Sequence, residues 1–107
     1  MLADVKRHLD HPAPEELELT RVLFALSDPL RLALVRQLAG EGPQEVQSCL
    51  PDAGELPKST LSHQLKTLRE AGVIRNEPQG RQRLLTLRRE ELDARFPGLL
   101  DAVLSRG

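Results

Sequence analysis

Residues 58–89 read KSTLSHQLKTLREAGVIRNEPQGRQRLLTLRR, and this stretch decides the fold. Leu61, Leu65 and Leu68 fall at i, i+4 and i+7, which makes one apolar stripe on a helix over roughly 58–71. Lys58, Ser59, Thr60, Ser62, His63, Gln64, Lys66 and Arg69 fill the rest of that helix, and Gly72 ends it. Val73 to Glu77 reads as a strand, and Pro78-Gln79-Gly80-Arg81 as a turn in which Gly80 is free to take positive φ. Arg83 to Leu87 reads as the return strand. A helix with a polar, basic face is thus followed at once by a β-hairpin with Arg81 and Arg83 near its tip.

Upstream of this stretch, Gln44 to Leu50 is expected to form a short helix, kept short by Pro51 and Gly54. Before it, Asp28 is a good N-cap and Pro29 a good first residue for a helix carrying Leu30, Leu34, Val35 and Leu38, which Gly40-Glu41-Gly42-Pro43 terminates. Glu15 and Glu16 open an earlier helix with Leu19, Val22, Leu23 and Leu26 at helical spacing. Residues 1–14 have no apolar period and contain Pro12 and Pro14, so they read as a flexible tail. Downstream, Arg89 to Arg95 is a helical turn or two, and Pro97 can sit in the first turn of a last helix bearing Leu99, Leu100, Val103 and Leu104. The expected fold is mainly α with a small β-hairpin, in the order α-α-α-α-β-β-α. This is a winged helix-turn-helix domain over residues 15–107.

Composition narrows the function. The 107 residues suffice for one domain, and 39% hydrophobic with 29% charged is globular rather than disordered. With no Trp, no Tyr and only Phe24 and Phe96, the core must be aliphatic. No apolar run approaches a membrane span, and the N-terminus has no secretory apolar stretch. The single cysteine, Cys49, excludes an internal disulfide and fits a reducing, cytoplasmic setting. The net charge of −1 hides a segregation. Residues 1–57 hold five basic and ten acidic side chains, a net −5. Residues 58–89 hold eight and two, a net +6, and residues 90–107 hold two and four, a net −2. A basic block between acidic flanks suits a binder of a polyanion.

The local pattern says which polyanion. One α-helix fills the major groove of B-DNA, where Ser, Thr, His, Gln and Lys side chains reach base edges or phosphates. Lys58, Ser59, Thr60, Ser62, His63, Gln64 and Lys66 are therefore expected at the major groove and its phosphates. Arg81 and Arg83 are expected at the backbone or the minor groove.

The stretches LFALSDPLRLALVRQLAG (23–40) and STLSHQLKTLREAGVIRNEPQGRQRLLTL (59–87) resemble the ArsR/SmtB-type winged-helix transcriptional repressors, a likeness covering about two thirds of the chain. The resemblance implies a homodimer that binds an operator palindrome in double-stranded DNA and leaves it when an unidentified effector binds. It also implies that the outer helices, here about 15–26 and 97–105, pack across the two-fold axis. That would place Leu19, Val22, Leu23, Phe96, Leu99, Leu100, Val103 and Leu104 at the dimer interface. Two departures bear on the effector. Val46 and Ser48 stand where members sensing thiophilic metals carry a cysteine pair, with Cys49 one place off, and one thiolate cannot build such a site. Asp93 and Asp101 lie on the last helices, but no histidine follows His63, so the zinc-type ligand set is missing.

No metal site and no cofactor are expected. His8-Leu9-Asp10-His11 has an H-x-x-H spacing in a tail flanked by proline, where a solvated segment is the simpler reading. No nucleophile sits beside a base and no glycine loop suits phosphate, so an enzyme is not expected. Two rival functions stand beside DNA binding. One is a winged-helix module for protein interaction, using the acidic first half. The other is a thiol-based redox sensor using Cys49.

Overall fold

The computed structural model describes residues 9–46 and 56–105. A single 3-10 turn, Pro14–Glu16, leads into α1 (Leu19–Leu26) and α2 (Pro29–Glu41). A two-residue strand β1 (Gln44–Glu45) follows, then α3 (Lys58–Glu70), β2 (Ile74–Gln79), β3 (Gln82–Leu87), α4 (Arg89–Arg95) and α5 (Leu99–Leu104). Outside the segment 44–55, the expected succession is present: two helices, then α3, the β2–β3 hairpin as the wing, and terminal helices.

Local chemistry sets the boundaries. The Asp28 carboxylate accepts the backbone N–H of Leu30 at 3.0 Å and of Arg31 at 3.1 Å, and Pro29 occupies the first helical position. Such a cap stabilises a helix start by about 1 kcal/mol. Gly72 follows α3 with φ 86°, and a Cβ there would overlap the Cδ2 of Leu17. Only glycine allows both the left-handed turn and the seat of Leu17, which is 1% exposed.

The core is aliphatic throughout. Val22, Ala25 and Leu26 of α1 meet Leu34, Val35 and Leu38 of α2, Leu65 and Leu68 of α3, and Val73, Ile74 and Leu85 of the wing base. Leu92 of α4 and Leu100 of α5 complete it. Val22 and Leu100 are both fully enclosed within this chain, which corrects their expected place at a dimer interface. Val22 faces inward with Ala25 and Leu26, and α5 packs on α2. Phe96, Leu99, Val103 and Leu104 are partly buried against the same core. Leu19, Leu23 and Phe24 remain exposed along α1.

The sheet has three antiparallel strands in the order β1-β3-β2. Here the structure corrects the start of the short helix expected over 44–50. Gln44 and Glu45 instead pair with Leu85 and Leu84, closing the edge of β3 that the hairpin leaves open. Gly42, at φ 83°, ends α2 and turns the chain into this pairing. The remainder of that segment, with Ser48, Cys49 and Pro51, lies outside the described residues. The hairpin is also tighter than expected, because Gln79 pairs with Gln82 and only Gly80 and Arg81 form the loop. Pro78 lies inside β2, which is an edge strand and tolerates a residue with no N–H.

The chain before α1 is held against the body at several points. The Arg69 guanidinium donates to the carbonyl of Asp10, the Nε2 of His11 accepts the backbone N–H of Asn76 at 3.0 Å, and Leu17 is buried. Asp10 and His11, expected in a solvated tail, are therefore docked on the end of α3 and the outer edge of β2. His8 lies outside the described residues.

Candidate nucleic-acid interface

The polar face of α3 is where the sequence placed it. Lys58, Ser59, Ser62, His63 and Lys66 are exposed, while Thr60 and Gln64 are half-buried. The Pro57 side chain offers no cap to α3, and its carbonyl accepts the N–H groups of Thr60 at 3.0 Å and Leu61 at 3.2 Å. Leu65, Leu68 and Arg69 form the opposite, buried side. Burial of that side against α1, α2 and β2 turns the polar face outward.

Gln64 is not a free side chain. Its Oε1 accepts from Nη1 of Arg31 at 2.7 Å. The same guanidinium donates through Nε to the carbonyl of Ala25 at 2.7 Å and through Nη2 to that of Phe24 at 3.1 Å. Its central carbon lies 5.2 Å from the centroid of the Phe24 ring. Arg31, 7% exposed, thus bonds the Ala25 carbonyl and adds to the bonds that Ser27 already makes to that of Phe24, and it joins α1 and α2 to α3. Sequence reasoning missed this residue. The signal was present, since Arg31 shares the i, i+3, i+4, i+7 stripe of Leu34, Val35 and Leu38. An arginine in a core stripe needs acceptors.

The eight cations of residues 58–89 divide sharply. Arg69 is buried and bonded to Asp10. Arg88, 3% exposed, donates to both oxygens of Glu91 at 2.7 and 3.0 Å, and Arg75 approaches the same carboxylate at 3.2 Å. The Arg88 guanidinium holds the Glu91 carboxyl below its usual range, against an opposing effect of burial, and Arg75 adds to the lowering. Arg89 pairs with Asp93 at 3.2 Å and with Asp101. Arg83 donates to the Oδ1 of Asn76 at 2.6 Å and to its carbonyl at 2.8 Å, bracing the wing from within. Lys58, Lys66 and Arg81 are exposed, and their side chains have no hydrogen bond or ion pair among the described residues. Arg81 stands at the hairpin tip beside Gly80, whose φ is 62°.

A helix-turn-helix domain model matches residues 26–77, from the end of α1 into β2. The crystal structure of an ArsR family transcriptional regulator superposes with a TM-score of 0.61 at 26% identity, covering 82% of this chain and 98% of that one. The transcriptional repressor BigR from Xylella fastidiosa gives 0.59 at 28% identity, over 83% and 88%. The HTH-type transcriptional regulator YceK of Bacillus subtilis is 31% identical over 83 residues, 78% of this chain and 83% of that protein. The chain belongs to the ArsR/SmtB-type winged-helix regulators. The HTH-type transcriptional repressor SmtB of Mycobacterium tuberculosis is 39% identical over 83 residues, and the chain spans 58% of its length. As a member of the ArsR/SmtB type, this protein is a DNA-binding transcriptional regulator, and the family is not one of enzymes. Within that family α3 and the β2–β3 wing are the elements to examine for contact with double-stranded DNA. No helix among the described residues is long and apolar enough to cross a membrane.

Proposed function

We propose that this ArsR/SmtB-type regulator is a homodimeric, cytoplasmic repressor that sets one α3 of each protomer into the major groove of an operator palindrome. The observation that carries the reading is the outward face of α3, with Lys58, Ser59, Ser62, His63 and Lys66 exposed and Arg81 exposed at the adjoining wing tip. These residues, with Thr60 and Gln64 at the edge of the face, make the contacts, while Arg83 braces the wing. Release by an unidentified effector is part of the proposal, and the family likeness is what supports it.

The dimer reading rests on Leu19, Leu23 and Phe24, which are 45%, 43% and 64% exposed along one helix in a chain with few aromatic residues. Apolar side chains grouped this way favour a partner surface. A second copy supplies one, with Phe96, Leu99, Val103 and Leu104 at its margin. Selection of bound duplexes from a random pool tests the whole reading. Two half-sites about one helical turn apart are expected, with a dimer by light scattering and a monomer for Leu23→Glu. A single unpaired site bound by a monomeric protein would overturn it.

A further inference from the structure

The strongest unassigned feature is the bond between Arg31 and Gln64, because it fixes what Gln64 can offer to a ligand. A glutamine amide has an accepting end and a donating end, and a guanidinium has only donors. The atom held at 2.7 Å by Arg31 must therefore be the oxygen. Arg31 is itself held by the carbonyls of Ala25 and Phe24 and stacked against the Phe24 ring, so it does not swing aside with the side chain it binds. The Nε2 of Gln64 has no hydrogen bond among the described residues. A free glutamine reads adenine with both ends at once, accepting from N6 and donating to N7. With its oxygen directed to a buried arginine, Gln64 keeps only the two hydrogens of its NH2 group. Two adjacent acceptors match them, and in the major groove guanine presents N7 and O6 side by side.

We propose that Arg31 is a positioning residue that makes Gln64 a donor-only reader, selecting guanine over adenine at the base pair it faces. The assignment rests on the reading of α3 as the helix in the major groove. It predicts a preference opposite to the one an unrestrained glutamine gives.

The test uses the full chain and duplexes selected from a random pool. The base pair read by Gln64 is the one whose preference flattens in Gln64→Ala. There the wild-type protein is expected to favour guanine over adenine by about tenfold in affinity, toward the lower end of what one good base contact discriminates. Gln64→Glu keeps a partner for Arg31 but offers no donor, so preference at that pair moves to cytosine, whose N4 amino group donates. Arg31→Met frees the oxygen, and adenine gains on guanine at that pair alone. A role confined to folding would lower affinity for every sequence alike. Should Arg31→Met fail to fold, the wild-type preference and Gln64→Glu still decide the matter. Adenine preferred by the wild type, or no pair flattened in Gln64→Ala, would overturn the assignment and leave DNA binding by α3 intact. Absence of binding to any duplex at low salt would overturn both.

Discussion

At the scale of single residues, side chains that read as surface groups in the sequence serve as fastenings. His11 shows how much chemistry one of them adds. Its Nε2 accepts the Asn76 N–H, which points out from the free edge of β2, and a protonated imidazole has no lone pair left at that nitrogen. Burial is the main cause that holds its pKa below the usual 6.5. Arg75, Arg69 and Arg88 push the same way, and Glu77 opposes them. As pH falls below 6.5 the unfolded chain takes up the proton before the folded one does. Stability is therefore full above 6.5, declines as pH falls, and levels off below the folded pKa. His11→Gln keeps an acceptor and does not titrate there. Between pH 7 and 5.5 the wild type is expected to lose more stability than His11→Gln, read from urea midpoints at constant m-value. Parallel pH curves for the two proteins would show that the bond to Asn76 does not form.

At the scale of elements, periodicity exposed every helix long enough to carry a stripe and left the shortest piece unread. α1, α2 and α3 each show two turns or more of apolar spacing, and the wing shows two extended runs about a glycine. β1 has two residues, too few for alternation, and exists because β3 has an edge to satisfy. Pro78 marked a turn by composition but lies in a strand, since being an edge strand is a property of the sheet and not of the residue. Arg31 was legible in principle from its place in the α2 stripe, whereas its acceptors at the end of α1 and on α3 come from tertiary packing. The docking of residues 10–17 was not legible, because it is anchored by Leu17 against Gly72, 55 positions on in the sequence. That junction can be tested against an ordinary turn glycine. Gly72→Ala must adopt φ 86° and also displace Leu17, whereas Gly80→Ala meets only the backbone penalty at φ 62° with nothing within 4 Å. Expected losses are about 3 kcal/mol or more for Gly72→Ala and about 1 kcal/mol for Gly80→Ala, measured by denaturation. Equal losses would mean that Leu17 is not seated against this turn.

At the scale of the whole molecule, the +6 of residues 58–89 separates into cations that hold the fold and cations that face outward. Arg69, Arg75, Arg83, Arg88 and Arg89 are engaged with the chain's own carbonyls, amide and carboxylates. Lys58, Lys66 and Arg81 are exposed, and under the proposed function these are the cations that displace counterions from DNA. The charge block therefore overstates the number of phosphate contacts, and the salt dependence of binding should show it. Neutralising one phosphate contributes about 0.9 to the slope of log affinity against log salt. A dimer carries each substitution twice, so Arg81→Ala should lower the magnitude of that slope by about two, with base preferences unchanged. Arg83→Ala should act differently. It removes the two bonds to Asn76 between β2 and β3, so it should lower the melting temperature and leave the slope nearly as it was. A drop of about one for Arg81→Ala would mean that one wing per complex reaches the backbone, and with it a monomer or an asymmetric dimer on DNA. A drop of two for Arg83→Ala at unchanged melting temperature would mean that Arg83 leaves Asn76 for phosphate on binding, and that the wing is braced by something other than the bonds seen in the free chain.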